Sequence, residues 1–205
     1  MHIELLLEER SAEVALKYIL PKILPDDVSY NFHVFNGKPD LLKKLSARLK
    51  GYSKWIPDDW RIVVLIDEDR KNCQELKTQL ENAAHQSGFV TKSSPLPNGD
   101  FQVVNRLAIE ELEVWFFGDI EALREAYPRV SKSLQYQKKY RVPDAITGGT
   151  YEALERLLIR TLYYVEKIPK IEVAQNIAPH MELSRNRSNS FQVFVEGLRT
   201  CVEIE

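Results

Sequence analysis

The chain has 205 residues, 44% of them hydrophobic and 28% charged, enough apolar material for one sizeable α/β core but short for two independent domains. Its 28 Lys and Arg against 30 Asp and Glu leave a formal net charge of -2, which excludes a globally basic nucleic-acid sponge; any polyanion contact must rest on local patches. Two widely separated cysteines, Cys73 and Cys201, argue against a disulfide framework or a zinc site and for a reducing cytoplasm. The start Met1-His2-Ile3-Glu4 is unlike a signal peptide, and no uncharged run approaches membrane-spanning length.

In chain order, Ile3 to Leu7 reads as a short buried strand. Ser11 offers an N-cap hydroxyl to a helix carrying Val14, Ala15, Tyr18 and Ile19, ended by Pro21 and Pro25. Val28 to Phe35 alternates with period two and turns at Asn36-Gly37. Leu41, Leu42, Leu45 and Leu49 mark an amphipathic helix closed near Gly51. The run Ile62 to Ile66 is a central strand covered on both faces, followed by a helix with Leu76, Leu80 and Ala84 inward and Gly88 at its end. The loop Ser93 to Asp100 leads to a strand at Gln102 to Ile109. Helices are then expected at Glu110 to Tyr127, with a break at Gly118-Asp119, at Tyr151 to Lys167, which would bury Leu154, Leu157, Leu158 and Leu162, and at Ser190 to Val202. Strands separated by such long crossovers predict a mainly parallel sheet. The expected organisation is one domain over residues 1–205, with an α/β sheet core at 1–109 and a mainly helical extension, 110–205, packed on the same core.

The acids fall where such a sheet binds ligands. Glu8 and Glu9 follow the first strand, and Asp67, Glu68 and Asp69 follow the strand Ile62 to Ile66, both at carboxyl ends. Strand alternation would put Asp67 and Asp69 on one side, and with an acid from the neighbouring strand they would offer hard oxygen ligands to Mg²⁺ or Mn²⁺. The plain alternative is that these acids cap helices or pair with Arg70 and Lys71.

A first-strand Glu, a helix, then an apolar strand ending in Asp-x-Asp resembles the Toprim pattern of topoisomerases, primases and OLD-type nucleases. Almost the whole chain resembles the bacterial family known as domain of unknown function 4276, itself regarded as Toprim-like. The resemblance is carried by Leu7-Glu8-Glu9-Arg10-Ser11, the stretch Arg61 to Asp69, Val104-Asn105-Arg106, Glu110 to Asp119, Pro143-Asp144-Ala145-Ile146 and Asn186 to Gln192. The usual Toprim Glu-Gly is Glu8-Glu9 here, which leaves open which Glu faces the site, and the Gly that often follows Asp-x-Asp is missing. The resemblance implies metal-binding, catalytic roles for Glu8, Asp67 and Asp69, with Glu113 as a further acid. It also implies a separate OLD/ABC-like AAA ATPase as partner, in defence against phage. The chain itself has no P-loop, since Gly148-Gly149 lacks the following Lys-Ser/Thr. Read plainly, Glu110, Glu111 and Glu113 are the acidic first turn of a helix.

Two segments could hold a polyanion. Arg129 to Arg141 carries Arg129, Lys132, Lys138, Lys139 and Arg141 with no acid, interleaved with Tyr136 and Tyr140. Arg185 and Arg187 precede a helix whose N-terminus would suit a phosphate, although the Ser and Asn there also read as caps. Lys167 and Lys170 could balance charge at a phosphodiester or simply end a helix. The leading expectation is a Toprim-like, divalent-metal-dependent phosphodiesterase or nuclease. The alternatives are a non-catalytic interaction module and a binder of a small phosphorylated ligand.

Overall fold

The computed structural model describes residues 1–69 and 72–203, so Arg70 and Lys71, as partners for the acids, lie outside the described residues. Four strands, β1 (His2–Leu7), β2 (Ser29–Val34), β3 (Trp60–Asp67) and β4 (Val103–Ala108), form one parallel sheet in the order β2-β1-β3-β4. Helices α1 (Arg10–Ile19), α2 (Lys38–Tyr52) and α3 (Cys73–His85) make the crossovers. Because β2 and β3 lie on opposite sides of β1, the winding reverses between β1 and β3, the kind of switch point outside whose carboxyl ends parallel sheets commonly bind ligands.

The apolar runs of β1 and β3 follow from burial on both faces. Leu6, Ile62, Val64 and Ile66 pack with Leu41, Leu45 and Leu49 of α2 and Leu76 and Leu80 of α3. The alternate residues Ile3, Leu5, Leu7, Val63 and Leu65 pack with α1 and with the helical second half. That half contains α4 (Glu113–Gly118), α5 (Ile120–Ala126), α6 (Thr150–Arg160), α7 (Lys170–Ile177) and α8 (Asn189–Glu203), which brings the described α-helices to eight. α7 packs on α1 and α8 on β4. Among the described residues no helix is long and apolar enough to cross a membrane.

Local departures from the sequence reading have physical causes. Glu9, not Ser11, occupies the cap position of α1; Ser11 sits in the first turn and donates its hydroxyl to the Glu9 carboxylate. The break between α4 and α5 falls at Asp119, whose carboxylate caps α5 through the Ala122 N–H at 3.1 Å. Gly118 is required there because a Cβ would stand 1.9 Å from Asn186 Oδ1. The helix expected through Lys167 stops at Arg160. Its carbonyls are closed by a Schellman turn, with Leu162 N–H on Ile159 O and Tyr163 N–H on Leu158 O, and a second helix, α7, starts at Lys170.

The residue in the left-handed position of that turn is Leu162, at φ +61° and 77% exposed, so the expectation that it is buried fails. A leucine there is strained against the following carbonyl and contributes little packing in return. Leu162→Gly is therefore expected to stabilise the protein by about 1 kcal/mol, a rise of about 2–4 °C in melting temperature by calorimetry. An unchanged or lower melting temperature would show that the strain is relieved or that the side chain packs.

Candidate active site

The β1/β3 switch point is lined with acids. Glu8, directly after β1, folds back across it: Oε2 accepts the Asp67 N–H and Oε1 the Lys38 N–H, both at 3.0 Å. It therefore clasps three chain segments, and burial pushes its pKa up against the pull of the Asp67 amide. Glu8 and Asp67 are thus neighbours at one edge of the sheet, but the Glu8 oxygens are engaged by backbone.

Asp67 is the last residue of β3 and is 7% exposed. Among the described residues its carboxylate accepts no hydrogen bond. Burial, and then the charges of Glu113, Glu8 and Glu9, raise its pKa well above the usual aspartate range. Asp69 does not share this environment. Regular alternation ends at Asp67, Asp69 adopts φ +49°, and its half-exposed carboxylate lies 2.9 Å from Lys38 Nζ, outside hydrogen-bond alignment. Lys38 itself is buried at the start of α2. The only hint of it in the sequence is its place after the Gly37 turn.

Glu113, the first residue of α4, is near enough to Asp67 for its charge to act there. It is 2% exposed and its Oε2 has no hydrogen-bond partner. Burial drives its pKa up to about 7, with Lys170 pulling against and Glu111 adding to the rise. Lys170, the first residue of α7, completes the cluster, with Nζ 3.2 Å from Glu9 Oε1 and 4.0 Å from Glu111 Oε1. Desolvation would lower its pKa, yet Glu113, Glu9, Asp67 and Glu111 together raise it above the lysine range. Glu111 in turn accepts the Tyr151 N–H at 2.7 Å and the Thr150 hydroxyl at 3.3 Å, fixing the start of α6 against the site. Beside this cluster, Asp69, Glu110, Glu111, Gly149 and Glu152 line an open cleft of about 270 Å³.

Among the described residues, buried carboxyls outnumber the cations that face them. Two buried acids with so few donors must hold protons, or a cation, to be stable, because an unpaired buried carboxylate is costly. That is the donor chemistry of a hard divalent ion. The orphaned Glu113 Oε2 beside Asp67 fits such an ion better than Glu8 and Asp69 do, whose oxygens already have partners. Among the described residues, however, no group of three His, Cys, Asp or Glu is arranged to hold a metal ion.

The basic candidates divide. Lys132, Lys138, Lys139 and Arg141 are exposed. Arg185 is engaged by Asp119, with Nε at 2.7 Å and Nη2 at 3.0 Å, and Arg187 donates to the Arg141 carbonyl at 3.2 Å. The N-terminus of α8 is already occupied by Asp144, which accepts from the Asn189 and Ser190 N–H groups and the Ser188 hydroxyl, so it is not an open phosphate site. Of the two interleaved tyrosines only Tyr136 is exposed. Tyr140 is buried and stacks on Phe117 at 5.0 Å, which corrects its reading as a base platform. The histidines take no part: His2 and His33 bind the Glu4 carboxylate, which also accepts from Tyr52 at 2.7 Å.

Compared with known families, the chain matches the family model described as Domain of unknown function (DUF4276) over residues 7–199. No curated protein and no solved structure matches it.

Proposed function

The chain belongs to the DUF4276 family, and we propose that it is a Toprim-like, divalent-metal-dependent phosphodiesterase acting on nucleic acid. One observation carries the reading: two buried carboxyls, Asp67 at the carboxyl end of β3 and Glu113 at the start of α4, are near enough for the charge of one to act on the other, and among the described residues Glu113 Oε2 has no hydrogen-bond partner. Asp67 and Glu113 would hold Mg²⁺ or Mn²⁺, with Glu9 a further acid whose charge acts on both. When bound, the ion supplies Lewis acidity toward a phosphodiester and a nucleophilic water. Glu8 ties the loops after β1 and β3 to the start of α2 through the Asp67 and Lys38 amides. Lys170 offers a cation at the rim of the cluster for a phosphate oxygen. By family resemblance, a separate OLD/ABC-like ATPase would supply nucleotide hydrolysis and place the pair in phage defence.

A second reading, a non-catalytic module whose acids are structural, draws on Lys170 as an internal counter-ion to Glu9 and Glu111. The two are separated by titrating Mn²⁺ into the protein calorimetrically while following hydrolysis of bis(p-nitrophenyl) phosphate and a single-stranded oligonucleotide. The phosphodiesterase is expected to bind the ion, melt at higher temperature in its presence and cleave both diesters. Neither binding nor stabilisation at millimolar Mn²⁺ would leave the module reading standing.

A further inference from the structure

We propose that the solvent face of α6, together with Lys139, is the track for a single-stranded nucleic acid running from the acidic cleft, with Arg156, Arg160 and Lys139 binding its phosphates. Arg156 and Arg160 are exposed and lie four residues apart, on one side of the helix. Among the described residues no carboxylate lies within ion-pair distance of either arginine or of Lys139, whereas Lys17, Lys44, Lys77, Lys92, Lys170 and Arg185 all have such partners.

Packing brings the third cation to this face. Lys139 Nζ lies 5.5 Å from the centre of the Tyr140 ring, Tyr140 stacks on Phe117 of α4, and α4 packs against α6. Desolvation, then the charges of Arg156 and Arg160, hold the Lys139 ammonium below the usual lysine range. Three cations with no ion-pair partner among the described residues repel one another, and a polyanion removes that repulsion. In the same loop, Tyr136 is 71% exposed and offers a ring for stacking an unpaired base.

The geometry ties the track to the chemistry. α6 begins at Thr150 and Tyr151, both bonded to Glu111 of the acidic cluster. At about 1.5 Å per residue, Arg156 and Arg160 stand about 9 Å and about 15 Å further along the helix axis. A strand with one phosphate in the cleft would therefore pass its next phosphates along this face.

The substrate class rests on the phosphodiesterase reading, so binding is tested apart from cleavage. The probe is a fluorescent single-stranded oligonucleotide, titrated with the full chain in EDTA over a salt series. The triple variant Lys139→Gln/Arg156→Gln/Arg160→Gln is expected to lose at least tenfold in affinity at low salt. Its log–log salt slope should flatten by about 2, at about 0.7 per lost single-strand phosphate contact. A charge-matched variant on α2, Lys43→Gln/Lys44→Gln/Lys50→Gln, should bind as wild type does. With Mn²⁺ present, the α6 variant should hydrolyse bis(p-nitrophenyl) phosphate normally while its KM for the oligonucleotide rises. An unchanged slope and affinity in the α6 variant would overturn the track, as would wild type binding duplex equally well or binding no polymer. If the oligonucleotide binds through these residues but no diester is cleaved, the track stands and the phosphodiesterase reading fails.

Discussion

Asp67→Asn is expected to reduce divalent-dependent diester cleavage by on the order of a hundredfold to a thousandfold, the range that follows loss of one electrostatic stabiliser in a closed site. The substitution keeps the side-chain volume and removes a hard oxygen donor and its charge. Its effect on stability has the opposite sign from that of an ordinary core substitution. Asp67 is buried among Glu113, Glu8 and Glu9, so its charged form is already disfavoured in the folded state. A neutral amide there can donate to a neighbouring carboxylate instead of repelling it. The variant should therefore melt at or above the wild-type temperature at pH 8 without metal, and the shift that Mn²⁺ gives wild type should be lost. A drop of many degrees, in a protein that Mn²⁺ never stabilised, would mean that Asp67 serves the fold alone.

Glu113→Gln is expected to flatten the pH dependence of stability. The folded carboxyl titrates at about 7 against an ordinary value of 4.5. Below pH 4.5 both folded and unfolded chains keep the proton, and the contribution of the group to stability is fully present. Between 4.5 and 7 the unfolded chain releases the proton while the folded chain retains it, so stability falls as pH rises. The loss is at most about 1.4 kcal/mol per pH unit and on the order of 3 kcal/mol across the window. Asp67 contributes with the same sign. A Gln at position 113 cannot titrate, so the variant should match wild type near pH 4.5 and exceed it near pH 8. Weakening of the Lys170 pairing offsets part of the gain. Urea denaturation at half-unit steps from pH 4.5 to 8.5 measures this directly. Parallel curves for the two proteins would show that Glu113 is not the group whose proton uptake accompanies folding.

Part of this site was legible before any coordinates. Apolar runs at Ile3 to Leu7 and Ile62 to Ile66, each followed by acids, announce buried strands with carboxylates at one edge, the second covered on both faces, because a parallel sheet buries both faces and opens only at its ends. Glu113 was visible both as a candidate acid and as a helix start; in the structure it begins α4 and is buried. Asp69 was misplaced because strand alternation holds only while the ladder continues, and the chain leaves it at a left-handed residue. Arg185 and the start of α8 looked like anion sites because capping groups and phosphate ligands draw on the same residue types. Only contacts with Asp119 and Asp144 reveal which role is taken.

The sequence by itself determined the parallel α/β class and the edge at which Glu8 and Asp67 gather, since each follows from local periodicity. The tertiary structure decided which acids are engaged and which are left in excess. Glu8 is taken by the backbone amides of Lys38 and Asp67, Asp69 by Lys38, and Asp67 meets Glu113 and Lys170 only because α4 and α7 return to the switch point from far along the chain. The pKa of a carboxyl depends on its desolvation and on charges within a few ångströms, and those neighbours come from segments that no sequence window joins.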